Sequence, residues 1–186
     1  SVDNMDEGST IITVYANDTL GNMNDSETVR VYIDRKSPNF QTFNAPTLDQ
    51  NFSSGTVTIN VSVSNGTVND TAIETVIFQV SNSTGTAFNI TASSTNSSLF
   101  NASVSVTGLI DGNHTITLYA NDTAGNMNDS ETQTFNVDTT TPVIQGFNTP
   151  ISDQNFSTGT LTVNISISDT TSALEDVIFQ FSNGTG

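Results

Sequence analysis

The sequence predicts an all-β protein assembled from tandem β-sandwich domains, and three observations carry that prediction. Its apolar residues are chiefly Val, Ile and Phe set among Ser, Thr and Asn, a pairing that suits half-buried, half-solvated strands. They alternate with polar residues in short runs, and no long helical stripe of Leu, Ala, Glu and Lys is present. The whole pattern then recurs. Ile12-Thr13-Val14-Tyr15-Ala16-Asn17-Asp18-Thr19 returns as Ile116-Thr117-Leu118-Tyr119-Ala120-Asn121-Asp122-Thr123, an offset of 104. Gly21 to Thr28 returns unchanged as Gly125 to Thr132.

The offset holds for Asp34 and Asp138, Pro38 and Pro142, Pro46 and Pro150, and Gly55 and Gly159. It falls to 101 by Val76-Ile77-Phe78-Gln79 and Val177-Ile178-Phe179-Gln180, which places a three-residue insertion near residues 65–73. A period of this size is one whole domain, not a solenoid unit. In this register residues 1–34 are the C-terminal part of a repeat, 35–138 a complete repeat, and 139–186 the N-terminal part of a further one. Two readings of the partial ends stay open: an excerpt of a longer chain, or ends of neighbouring subunits that complete each other by strand exchange. Against exchange, the two ends together lack counterparts of about residues 86–103.

Within the complete repeat, strand-like runs lie near 39–44, 56–64, 74–81, 86–92, 99–106, 114–121 and 130–138. The second is the clearest. Val57, Ile59, Val61 and Val63 alternate with polar residues, and Leu161, Val163, Ile165 and Ile167 repeat the pattern. Val76, Phe78 and Val80 make a second inward row, and Ile116, Leu118 and Ala120 a third. Tyr15 and Tyr119 fall on the outward parity. Asn121 to Asn126 is rich in residues that tolerate positive φ and reads as a hairpin between the last two strands. Seven short strands in about 100 residues predict a Greek-key sandwich. Asp138-Thr139-Thr140-Thr141-Pro142 reads as a short linker stiffened by its proline.

Three basic against 19 acidic residues give a formal charge of −16, which argues against nucleic acid and anionic membrane surfaces as direct partners. The acids are scattered singly or in pairs and form no run, the pattern of a solvated surface. With no cysteine there is neither a disulfide brace nor thiol chemistry, and the single Lys36 cannot supply an isopeptide staple to each domain. No apolar run reaches the length of a membrane span. Any signal or anchor is expected outside this segment.

Leu109-x-Asp111-Gly112-x-His114-x-Ile116-x-x-Tyr119-Ala120-x-Asp122-x-Ala124-Gly125-Asn126, followed by Val137-Asp138-Thr139-Thr140-x-Pro142, resembles bacterial and archaeal immunoglobulin-like repeats. Such repeats line up in large cell-surface proteins, including surface-layer-associated proteins, adhesins and extracellular filaments. The resemblance covers the whole segment and implies tandem immunoglobulin-like sandwiches at the cell surface. An aromatic, usually Tyr, commonly occupies the family position where this chain has His114, with Thr10 in the partial first repeat.

The chain carries 16 N-x-[ST] sequons, at Asn17, Asn24, Asn51, Asn60, Asn65, Asn69, Asn82, Asn89, Asn96, Asn101, Asn113, Asn121, Asn128, Asn155, Asn164 and Asn183. With 54 Ser and Thr in 186 positions, 23 asparagines would yield roughly seven by chance. A glycan needs its Asn in solvent, and Asn60 and Asn164 fall on the polar parity of their strands. Only Asn51, Asn113 and Asn155 have an acid two places upstream, an extension that some bacterial transferases demand. Unextended sequons at this density fit an archaeal surface. The bland alternative is a polar β-surface that happens to be rich in Asn and Thr.

Little else in the sequence carries chemistry. His114 is the only histidine and lies on the parity of Ile116 and Leu118, so it is expected as a satisfied core or corner residue. No nucleophile elbow, phosphate loop or zinc spacing occurs, and no enzyme activity is expected. Calcium is considered at the loops and junctions holding Asp18/Asp122, Asp25/Asp129, Asp34/Asp138 and Asp49/Asp153, although no compact ligand spacing is present. The resulting expectation is an extracellular, N-glycosylated structural protein whose partners are copies of itself in a stalk, surface layer or filament. The alternative is an adhesin whose repeats present or form a ligand-binding surface; it calls for grouped exposed aromatics, whereas Phe here is mostly on the buried parity and Trp is absent.

Overall fold

A strand of alternating Val and Ile needs a neighbour on each edge and an apolar layer across from one face, and the central part of the chain supplies both. The computed structural model describes residues 4–65, 72–85 and 87–183. Most of these residues are extended, with no α-helix among them and a short 3-10 turn at Val106–Gly108. In chain order the strands are β1 (Gly8–Asn17), β2 (Met23–Ile33), β3 (Asn39–Ala45), β4 (Gln50–Phe52), β5 (Thr56–Ser64), β6 (Ile73–Asn82) and β7 (Ala87–Thr91). They continue with β8 (Ser93–Asn96), β9 (Leu99–Ser105), β10 (Gly112–Asp122), β11 (Met127–Asn128), β12 (Thr132–Val137), β13 (Val143–Thr149) and β14 (Asn164–Ser168).

Two sheets face each other between residues 39 and 137. One has the order β3-β5-β9-β8; the other has the order β4-β12-β10-β6-β7, with β11 paired to β10. The inward rows expected from parity form the core. Val57, Ile59, Val61 and Val63 of β5 meet Val76, Phe78 and Val80 of β6 and Ile116, Leu118 and Ala120 of β10, all essentially inaccessible to water. Burying each such side chain is worth about 1.5–3 kcal/mol, enough to hold the layers together without a disulfide. β6 and β10 run antiparallel with Phe78 opposite Leu118 and Val80 opposite Ile116. The chain is therefore an all-β sandwich protein.

The hairpin expected at Asn121–Asn126 is present. Asp122 accepts hydrogen bonds from the backbone N–H groups of Ala124 and Asn126, both at 2.9 Å, and from Asn126 Nδ2 at 3.0 Å. Gly125 has φ +89° with open space where a Cβ would stand, so backbone conformation alone calls for glycine there. The same turn recurs at Asp18, which accepts from Leu20 N and Asn22 N at 2.9 Å and from Asn22 Nδ2 at 2.6 Å.

The flanking segments are less complete. β1 and β2 form an isolated two-stranded hairpin, and so do β13 and β14. The run Leu161–Ile167 was expected to repeat all of β5, yet only Asn164–Ser168 is a strand, and Val177–Phe181 is not a strand at all. Both runs have the right sequence; among the described residues the first has the counterpart of β3 but not that of β9, and the second is paired with no strand. Short strands at Gln50–Phe52, Ser93–Asn96 and Met127–Asn128 were not legible as alternating runs. The expected insertion near 65–73 falls mostly outside the described residues.

Candidate glycan-acceptor surface

The face of β5 opposite the core carries Asn60 among Thr58 and Ser62. Asn44 of β3 reaches across and donates its Nδ2 to Asn60 Oδ1 at 2.8 Å and to Ser62 Oγ at 3.0 Å. The same bonds recur one repeat later, from Asn148 to Asn164 at 3.0 Å and to Ser166 at 2.9 Å. Here the sequon's amide oxygen and its hydroxyl are held side by side on the wet face. Asn89 is likewise exposed, accepting at Oδ1 from Gln79 Nε2 at 3.2 Å.

Four other sequons close into Asx turns. At Asn24, Asn82, Asn96 and Asn128, the residue two places on donates both its backbone N–H and its hydroxyl to the asparagine Oδ1. The hydroxyl bonds run from 2.7 Å at Asn24 and Asn82 to 3.2 Å at Asn96. Ser and Thr at the second position supply that second donor, which is the residue choice an N-x-[ST] pattern specifies.

Of the 16 sequon asparagines, Asn69 lies outside the described residues. None of the other fifteen is buried: nine are exposed and six half-buried. Three of the half-buried ones tie strand edges and junctions. Asn121 Nδ2 donates to Glu74 Oε2 at 2.7 Å, Asn101 Nδ2 to Thr95 Oγ1 at 2.6 Å, and Asn128 Nδ2 to the Pro38 carbonyl at 2.9 Å.

The linkers are held by acids, not by proline alone. Asp111, just before β10, accepts from the backbone N–H and hydroxyl of Thr139 and from the hydroxyl of Thr140. One repeat earlier Glu7 holds Arg35 in the same way: it accepts the Arg35 backbone N–H at 3.1 Å and pairs with its guanidinium at 3.6 Å. That exposed ion pair adds at most about 1 kcal/mol. On the other side of the first linker Asn126 donates to the Asp34 carbonyl at 3.2 Å. These clamps were missed in the sequence, although the equal spacing of Glu7 to Arg35 and Asp111 to Thr139 was there to be found.

Most of the acids considered for calcium are engaged locally. Asp18 and Asp122 close their own turns, Asp49 accepts the Thr134 hydroxyl at 2.5 Å, and Asp138 accepts from Thr140 N at 3.1 Å and Thr171 Oγ1 at 2.6 Å. Among the described residues no three His, Asp or Glu side chains converge as a metal site. His114 is buried as expected, stacked on Phe135 at 5.1 Å with Nδ1 3.1 Å from the Gly112 carbonyl. It is not fully satisfied, because its buried Nε2 has no hydrogen-bond partner.

No protein family matches the chain, and no curated protein matches it. Among solved structures, it is similar to CopC from Methylosinus trichosporium OB3b (12% identity, TM-score 0.41), over 54% of this chain and 93% of that one. It is similar to the endo-beta-1,4-mannanase from Thermotoga petrophila (16% identity, TM-score 0.42), over 56% of this chain and 20% of that one. An engineered protein scores alike, at 19% identity and TM-score 0.42 over 56% of this chain and 21% of its own. The match thus spans about a fifth of two of these proteins, and likenesses this remote leave function to be read from the residues themselves. No helix among the described residues is long and apolar enough to cross a membrane.

Proposed function

We propose that this chain is part of an extracellular, N-glycosylated structural protein, in which tandem immunoglobulin-like sandwiches form a stalk, surface layer or filament of an archaeal cell. One observation carries the reading. Every described sequon asparagine has access to solvent, while Ile59 and Val61 on either side of Asn60 are fully buried in the core. At Asn24, Asn82, Asn96 and Asn128 the sequon hydroxyl and the asparagine amide are already held together in one exposed or half-buried turn.

The rest of the surface supports a passive, durable role. A net charge of −16 keeps neighbouring arrays apart and soluble. The linker clamps at Glu7 and Asp111 shorten the flexible span between repeats, which is what a load-bearing stalk requires. Glycans on the outer faces would cover sheet edges that otherwise invite pairing with other chains.

The test is the mass of native material. Glycopeptide mapping should find hexose-containing adducts at several of the exposed sequons, Asn89, Asn96 and Asn164 among them. A native chain whose polypeptide mass of 19.7 kDa is recovered without added sugar would end the reading.

A further inference from the structure

Asn82 differs from the sequons on the wet faces. It follows Phe78 and Val80 on the core parity of β6 and lies directly opposite His114 of β10, so the two side chains rise from the same, inward side. Phe88 of β7 stands opposite Val80 and shares that side. Where the core ends, these residues line an open cleft of about 200 Å³ together with Leu109 and Ile110, which follow the 3-10 turn.

The cleft is apolar on one wall and polar on another. Among the described residues of the complete repeat, four large apolar side chains are exposed, and two of them, Phe88 at 40% and Ile110 at 49%, stand here. His114, 1% exposed, belongs to the polar part. A carbonyl only accepts, so the Nδ1 facing Gly112 carries the proton, and in the neutral ring the partnerless Nε2 is an acceptor. The unmodified chain thus leaves an apolar wall in water beside a buried acceptor that has no donor.

We infer that the first sugar ring of an N-linked glycan at Asn82 folds back into this cleft, resting its C–H face on Phe88 and Ile110 and offering a hydroxyl to His114 Nε2. The inference rests on the glycosylation proposed above and adds which sugar is ordered and what holds it. The sequon Asn82-Ser83-Thr84 is itself part of the cleft wall. Asn82 Oδ1 is turned back on Thr84, accepting its N–H at 3.0 Å and its hydroxyl at 2.7 Å, so the nitrogen that a sugar joins is the amide's other end. The volume lies below the roughly 300–1,000 Å³ of pockets for drug-sized ligands, which suits a single ring and not a longer chain. A pyranose supplies what the cleft lacks: a face of C–H groups to cover apolar surface, and a rim of hydroxyl donors. Attachment replaces an Asn82 Nδ2–H with a bond to the sugar C1. The C1–O bond of a glycosyl phosphate donor breaks, the phosphate leaves with the electron pair, and the proton passes to a base of the transferase.

The test uses the 186-residue chain from a secretory host that modifies N-x-[ST] sites, trimmed to one N-acetylglucosamine at each site, beside the same chain made without sugar. Nuclear Overhauser contacts are expected between the Asn82-linked sugar and the Phe88 ring, with the sugar's ring protons shifted upfield by the aromatic face. The His114 Nε2 resonance should move on glycosylation of the parent and stay in place in Thr84→Ala, which lacks this site. Glycosylation should raise the folding equilibrium constant of the parent about fivefold more than that of Thr84→Ala. That excess should vanish when Phe88→Ser is added to both chains. Sugar at Asn82 without contacts to Phe88, or an excess that survives in Phe88→Ser, overturns the cleft as its seat and leaves the glycosylated surface standing. The Overhauser contacts need no variant, so they decide the matter even if Phe88→Ser fails to fold. Glycopeptide mapping of native protein should find Asn82 modified. A bare Asn82 among modified sites overturns this inference alone; native protein with no sugar at any site ends both it and the proposed function.

Discussion

Asp111 holds Thr139 across the start of the linker: one carboxylate oxygen accepts both the Thr139 backbone N–H and its hydroxyl, each at 2.8 Å. The other oxygen accepts the hydroxyl of Thr140 at 2.5 Å. A single side chain at the entrance to β10 thereby fixes the chain as it leaves β12, and Glu7 does the same for Arg35 one repeat earlier.

The clamp has a pH signature. The Thr140 hydroxyl, first, and then the Thr139 N–H and hydroxyl hold the Asp111 carboxyl below its ordinary value of 3.8. A carboxylate with a depressed folded-state pKa stabilises above its unfolded pKa and loses that contribution as pH falls through the folded value. The Thr139 amide resonance is therefore expected to stay fixed from pH 7 to 4 and to move only below pH 3.8. Asp111→Ala should give the released chemical shift at neutral pH and show no titration in that window. An amide shift that moves between pH 5 and 7 in the parent chain would exclude the clamp.

His114 carries a buried acceptor that nothing satisfies. Replacing it with Phe keeps the stack on Phe135 and removes the orphaned nitrogen, while the exposed Gly112 can return its carbonyl to water. An unsatisfied buried polar group costs about 1–3 kcal/mol, so His114→Phe is expected to raise the denaturant midpoint by the equivalent of about 1 kcal/mol. A lowered midpoint would show that the Nδ1 bond to Gly112 outweighs the orphan.

Phe78 lies at the centre of the sandwich, opposite Leu118 and fully buried. Phe78→Ala is expected to cost about 3–5 kcal/mol in chemical unfolding. A loss under about 1 kcal/mol would mean that the two sheets do not share this core.

The sequon at Asn96 can be removed without dismantling its turn. Ser98→Ala deletes the hydroxyl but keeps the backbone bonds from Ser98 and Leu99 to Asn96 Oδ1, both at 2.9 Å. Native protein carrying this change should lose the mass of one glycan, with stability altered by less than about 1 kcal/mol. An unchanged mass would remove Asn96 from the modified set.

Much of the central sandwich was legible because strand parity is a local property: Val57 through Val63, and Ile116 through Ala120, state which side is dry before any partner is known. β4, β8 and β11 were not legible, since two to four residues cannot display a period. The partial repeats show the opposite limit. Leu161 and Val163 have the pattern of β5, yet a strand exists only where another strand accepts its hydrogen bonds, and sequence parity cannot supply that neighbour.

The candidate surface divides in the same way. Asn60 and Asn164 were placed on the wet face by parity alone, as period-two alternation requires. The pairing of Asn44 with Asn60, the strap from Asn128 to Pro38 and the hold of Asp111 on Thr139 join residues 16, 90 and 28 positions apart. What the amino-acid order determined by itself was the alternation, the repeat and the acceptor sequons, because each is a relation among neighbours or between copies of one pattern. What tertiary structure alone decided was which polar groups meet, because those bonds depend on how two sheets and a linker are brought together in space.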